Sequence, residues 1–159
     1  MNTISFYAGS NKDTPLPLKL FEVSDVVMID ENKDVGARNE RRIVAVNCDK
    51  ASGFEVIHGL VNRIMQVLGV PHQTFASSRQ ELNTLKKGIS YFWEPDSSNT
   101  YFDGRYASLH AMGSKVGEFG VIHPEVLQAF DIPYPVAALE LNLEPFVFDQ
   151  NHLKLKTHM

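Results

Sequence analysis

The sequence predicts an α+β fold, an antiparallel sheet flanked by helices, and three patterns predict it. Two pairs of apolar, β-branched stretches are each joined by turn formers in the manner of hairpins, over 18–48 and 105–122. One long amphipathic helix pattern lies between them, and a cleanly alternating stretch follows them. Hairpins force antiparallel neighbours, and helices inserted between them cover the sheet.

The first regular element starts only after residues 11–17, because Pro15 and Pro17 remove backbone donors and restrict their neighbours. Over 18–29, Leu18, Leu20 and Val26 fall on one side of an extended chain and Phe21, Val23 and Val27 on the other. That distribution predicts a strand covered on both faces. Residues 30–39 are rich in turn formers, including Gly36, and 42–48 contains Ile43, Val44 and Val46, a second strand joined by a long hairpin. Ser52 with Glu55 three places later reads as a capping box. The helix it opens carries Ile57, Leu60, Val61, Ile64, Met65 and Leu68 in one stripe, and Gly69 and Pro71 end it. Gly59, inside that helix, costs about 1 kcal/mol against alanine, which points to close approach by another backbone. Residues 72–98 are polar and irregular and read as an insertion with a short helix at 78–87. Residues 105–112 and 115–122 then form a hairpin around Gly113-Ser114. Pro124 suits the first turn of a short helix running through Phe130, ended by Pro133 and Pro135. Over 137–143, Leu139, Leu141 and Leu143 alternate with Glu140 and Asn142, a strand with one wet face.

A chain of 159 residues supports one hydrophobic core. Fifteen Lys and Arg against nineteen Asp and Glu leave a net charge of -4, so no overall cationic field draws in nucleic acid. The densest basic group, Arg38, Arg41 and Arg42, is offset by Glu40 and preceded by Asp30, Glu31 and Asp34, and reads as a solvated loop. Cys48 is the single cysteine, which excludes an intramolecular disulfide and suits a reducing compartment, the cytosol by default. No apolar run approaches the roughly 18 residues of a membrane span, and the first residues lack the basic start and apolar region of a secretory signal.

Little in the sequence carries chemistry by itself. The six histidines, His58, His72, His110, His123, His152 and His158, include no helical i, i+4 pair and no CxxC companion, so zinc has no support. Cys48 ends a β-branched strand and reads as a small buried residue, not a nucleophile. Gly113, Gly117 and Gly120 lack the GK[ST] ending of a phosphate loop, and close strand packing or a bulge accounts for them. Glu22 and Asp25 on a covered strand read first as a structural ion pair. His58 reads as a histidine bonded to a neighbouring carbonyl, not as a general base.

Several stretches are recognisable together and in order: PLPLKLFEVSDVV at 15–27, DVGA at 34–37, GFEVIHGL at 53–60, GRYA at 104–107, GEFGVIHPEVL at 117–127 and LELNL at 139–143. As a set they resemble the C-terminal core of the phenylalanyl-tRNA synthetase beta subunit in its cytosolic eukaryotic and archaeal form. Within them Phe21, Glu22, Gly36, Gly53, Phe54, His58, Gly59, Arg105, Gly117, Gly120, His123, Pro124 and Glu140 stand at motif positions, read as structural or interface residues. The resemblance covers a core domain over 15–148, interrupted by a variable insertion at 72–99. It leaves a 1–14 segment that looks truncated and a 149–159 tail without the anticodon-binding domain of bacterial beta subunits.

The resemblance implies the fold of a class II aminoacyl-tRNA synthetase catalytic domain in a non-catalytic copy, so no catalytic residue is assigned and the fragment itself is expected to be inactive. No G-x-G-x-x-R sequence follows the last strand, leaving the ATP-binding arginine of motif three without a counterpart, and Arg38-Asn39-Glu40 mimics the R-x-E of motif two only by coincidence, since it precedes the second strand. The upstream editing and helix-turn-helix-like domains have no matching residues. The implied partner is the alpha subunit, in a cytoplasmic heterotetramer of two alpha and two beta chains that binds tRNA and uses ATP and magnesium. The fragment itself is expected to take no cofactor or metal and to meet no membrane. Arg38, Arg41 and Arg42 are the candidates for a direct tRNA contact. The rival expectation is a stand-alone fold that binds ATP or an amino acid beside the first strand pair.

Overall fold

The computed structural model describes residues 14–73 and 90–147. In chain order the elements are β1 (Leu18–Ile29), β2 (Ala37–Cys48), α1 (Phe54–Val67), β3 (Tyr91–Pro95), β4 (Tyr101–Ala111), β5 (Ser114–Ile122), α2 (Pro124–Ala129), β6 (Val136–Asn142) and α3 (Glu144–Val147). The six strands make one sheet in the order β1-β2-β6-β5-β4-β3, with every neighbouring pair antiparallel. The sheet is built as expected from hairpins, and the last strand to be made is inserted between the two of them.

The apolar stripe of α1 packs Ile57, Val61 and Met65 onto one face of the sheet, against Ala107, Leu109, Phe119, Ala137, Leu139 and Leu141. On the other face a second cluster gathers Val46, Cys48, Tyr101, Tyr106, Ile122 and Val136, with Leu18, Leu20 and Leu127 packed on it. Both clusters follow from the strand period of two: Leu139 and Leu141 point to α1 while Ala138 and Glu140 point away.

Several expectations are corrected. Helix α1 is capped by Gly53 in the left-handed conformation (φ 67), with no side-chain cap, so Ser52 and Glu55 form no capping box. Asn47 Nδ2 occupies the space a Gly53 side chain would need, so a larger cap residue would have to displace the Asn47 amide. Strand β2 begins at Ala37, which places Arg38, Arg41 and Arg42 in the ladder and not in a loop, and Arg38-Asn39-Glu40 inside the strand and not before it. The hairpin turn of β4 and β5 is Met112-Gly113, both with positive φ, and not Gly113-Ser114. Strand β3 falls within the stretch read as an insertion. Its Tyr91 is buried and Trp93 packs on the α1 core, because Tyr91-Phe92-Trp93 supplies aromatic area that the polar surroundings conceal. The helix expected at 78–87, residues 1–13 and the tail after 147 lie outside the described residues. Strand β6 is central, not half-wet: Glu140 and Asn142 are half-buried and both are hydrogen-bonded.

Candidate functional site

Strand β1 is the edge of the sheet, and α1 crosses too far inward to cover it. Leu18, Leu20, Val26 and Met28 are half-buried, but the alternate face, expected to be covered, is open: Phe21 is 76% exposed, Val23 48%, Val27 71% and Ile29 89%. Val35 in the hairpin turn is exposed as well. In the middle of this apolar row stands Asp25, whose cross-strand partner is Arg41. The pair is bidentate, Arg41 Nε donating to Oδ1 at 2.7 Å and a second guanidinium nitrogen to Oδ2 at 3.1 Å. This hydrogen bonding holds the Asp25 carboxyl below its ordinary range and raises Arg41. The ion pair read for Asp25 is therefore present, while Glu22 points to the opposite face and is exposed. An exposed apolar row of this kind, carrying one fixed ion pair, is the type of surface by which proteins meet partners.

On the opposite face the ladder lines up polar groups across the sheet: Glu140 on β6 faces Glu118 on β5, which faces Ser108 on β4, which faces Glu94 on β3. Two carboxylates directly opposed repel, and each is compensated. Arg42 donates to Glu140 and also to Glu40, at 2.8 Å. Glu118 accepts from the Tyr106 hydroxyl at 2.8 Å and from Lys115 at 3.1 Å. Buried Glu40 is shared by Arg38 and Arg42. Burial pulls Arg42 toward deprotonation, but the bonds to Glu140 and Glu40 outweigh it and raise its pKa. The three arginines thus alternate across the strand, and each already faces a carboxylate, so they do not combine into one basic surface.

Ser108 Oγ lies 3.0 Å from His110 Nε2, and Glu94 Oε1 lies 3.3 Å from the same nitrogen. A nucleophile relay needs the hydroxyl and the carboxylate on different ring nitrogens. This trio is therefore a structural contact, and sequence reasoning missed it because Glu94 joins the other two only through the pairing of β3 with β4.

The remaining motif positions are placed by packing. Gly36 (φ 68) closes the first hairpin. His123 caps α2 by accepting from the Glu125 amide, and Pro124 follows at its first turn. An ideal Cβ on Gly117 would sit 2.5 Å from the Glu140 carbonyl, and one on Gly120 2.5 Å from the Arg105 carbonyl, so both glycines serve close strand packing. Gly59 has nothing within 4 Å of such a Cβ; no backbone approaches it among the described residues, and it opens onto a groove beside Asn62 and Trp93. Cys48 is buried, and burial pushes its thiol up, away from reactivity. Among the described residues no three His, Cys, Asp or Glu gather as a metal site, and no helix is long and apolar enough to cross a membrane.

The carbonyl bond expected for His58 is not formed among the described residues; aromatic contacts hold the ring instead. Its ring stacks on Phe119 (centroids 5.5 Å apart, planes 5°) and meets Trp93 edge-on at 5.1 Å. Burial, with a smaller contribution from His72, lowers its pKa from 6.5. The unfolded chain therefore binds the proton more readily, so this contribution to stability is complete above pH 6.5 and is lost as pH falls toward the folded value. Urea titrations at neutral and mildly acidic pH should show the wild type losing stability on acidification and His58→Phe losing less; parallel losses would assign the acid sensitivity to other groups.

The sheet is shared with a tRNA synthetase of known structure. A pyrrolysyl-tRNA synthetase from Desulfitobacterium hafniense superposes with a TM-score of 0.62 over 91% of this chain and 46% of its own, at 9% identity, a likeness of fold alone. The chain thus shares the fold of that synthetase. Residues 6–143 match the family described as the phenylalanyl tRNA synthetase beta chain CLM domain. The phenylalanine-tRNA ligase beta subunit of Drosophila melanogaster is 47% identical over 138 residues, the cytoplasmic one of Arabidopsis thaliana 47% over 136, and the human one 44% over 139. The chain belongs to the phenylalanyl-tRNA synthetase beta chain CLM domain family. These matches span 86–87% of this chain but 22% of each relative, so it corresponds to about a fifth of their length.

Proposed function

We propose that this chain is a non-catalytic core module of the phenylalanine-tRNA ligase beta subunit, whose work is to hold an alpha subunit in a cytoplasmic heterotetramer of two alpha and two beta chains. The observation that carries this reading is the open apolar face of the β1–β2 hairpin, Phe21, Val23, Val27 and Ile29 around the Asp25–Arg41 pair. Two features support inactivity. Arg42, on the polar sheet face, is committed to Glu40 and Glu140, and the R-x-E triplet is bound up in the same network. The module takes no cofactor; ATP, magnesium and tRNA are handled by the complex.

Co-purification with the alpha subunit tests the reading. Phe21→Ser combined with Val27→Glu should weaken association at least about a hundredfold, some 2.7 kcal/mol, with the urea midpoint unchanged because both side chains are exposed. Undiminished association of the double variant would remove this face from the interface, and a folded wild-type chain that never associates would remove the assembly role.

A further inference from the structure

Strand β1 pairs with β2 alone, in an unbroken register from Leu18 opposite Cys48 to Ile29 opposite Ala37. Along twelve residues its outward backbone groups therefore have no strand partner among the described residues. Sheet edges are usually kept short or guarded by proline or a bulge, because an open ladder accepts another strand. β1 is long and has neither. The edge also carries a chemical pattern. Phe21 and Val23 stand on the face of the sheet that carries α1, since Ile43, the ladder partner of Val23, packs on the α1 core. Glu22, between them, points to the other face, exposed and without a hydrogen-bond or ion-pair partner among the described residues. A strand added here gains most by setting apolar groups beside Phe21 and Val23 and a cation across from Glu22.

The chain itself contains such a pattern. Residues 152–159 read HLKLKTHM, with Leu153, Leu155 and Met159 on one side of an extended chain and Lys154 and Lys156, between two histidines, on the other. That is the period of two of a strand with one apolar and one basic face. No glycine or proline interrupts residues 148–159. The fold also brings this segment close. Helix α3 ends at Val147 and lies against β2, the Leu143 amide donating to the Arg41 carbonyl at 2.8 Å and Phe146 sharing the core of Ile43. The outer side of β1 is two strand spacings from β2, about 10 Å. Residues 148–152, fully extended, reach up to about 17 Å.

We propose that residues 153–159 dock along the outer edge of β1 as an added strand, Leu153 and Leu155 beside Phe21 and Val23 and Lys154 across from Glu22, and so cover for part of the time the face that holds an alpha subunit. The docking stands on the edge and the tail; its consequence for the alpha subunit rests on the assembly reading above. Amide hydrogen exchange of the full chain, followed by NMR, compares the wild type with Leu153→Asp combined with Leu155→Asp, and with Lys154→Glu. The outward amides of β1 should exchange at least about threefold faster in both variants, with β5 and β6 unchanged. Glu22→Lys should restore slow exchange to Lys154→Glu. Because the tail and the alpha subunit exclude each other, the Leu153, Leu155 variant should bind the alpha subunit more tightly by the same factor as its gain in exchange. Urea opens so shallow a contact well before the sheet unfolds, so the global midpoint does not report it. Equal β1 exchange in the wild type and the tail variants overturns the docking. So does protection that rises with protein concentration and survives in those variants, the sign of a second copy on the edge. Exchange that responds as expected while alpha-subunit binding does not would uphold the docking and overturn this face as the alpha interface.

Discussion

Replacing Phe119 by alanine is expected to cost about 3–5 kcal/mol, a large part of the roughly 5–15 kcal/mol that a domain of this size has in total. Phe119 is fully buried at the centre of the sheet, with Ala107 and Leu139 as its ladder neighbours. Three rings from two elements rest on it: Phe54 at 5.7 Å and His58 at 5.5 Å from α1, and Trp93 at 6.3 Å from β3. Its removal leaves a void that α1 can fill only by tilting, and tilting would lift Ile57, Val61 and Met65 from their seats as well. Urea or thermal denaturation measures the loss, and a cost below about 1.5 kcal/mol, the range of a substitution the core absorbs by repacking, would show that the aromatic stack is not the centre of the fold.

Gly120→Ala is the second large effect, expected to destabilise by about 3 kcal/mol, the upper part of the range for overpacking. The added methyl would lie 2.5 Å from the Arg105 carbonyl and 2.9 Å from the Tyr106 Cα, both backbone atoms, so no side chain can rotate out of the way. The strands must part, and the bulge of β4 between Tyr101 and Tyr106, which presents Arg105, moves with them. Gly59→Ala is the natural control: the same substitution, in open space on a helix, should stabilise by about 0.5–1 kcal/mol. Chemical denaturation of the two variants side by side checks the contrast. Equal effects would mean that the backbone contact at Gly120 is relieved at little cost.

Much of the fold was legible because it rests on local patterns. The α1 stripe announced the helix and its buried side through Ile57, Val61 and Met65, and the alternation of Leu139 and Leu141 announced a strand. The strand β3 was not, since five residues among polar neighbours give too short a signal, and Tyr91 is a core residue only because β4 pairs with it. The same limit hid the sites. Asp25 and Arg41 are sixteen residues apart in sequence, and only the register of the first hairpin makes them a bidentate pair. Arg105 stood out as a motif position, but its place at the bulge depends on Gly120, from a different strand.

The amino-acid sequence by itself determined the class of fold, the elements of its hairpins and its family, since periodicity, turn residues and ordered motifs are properties of neighbouring positions. Tertiary structure alone decided which apolar face stays open and which carboxylates meet. Insertion of β6 between the two hairpins draws α1 over the centre of the sheet, and that leaves Phe21 and Val27 bare at its edge while setting Glu140 against Glu118. Exposure and charge pairing are sums over distant segments, and a strand's pattern looks the same whether its neighbour is a helix or water.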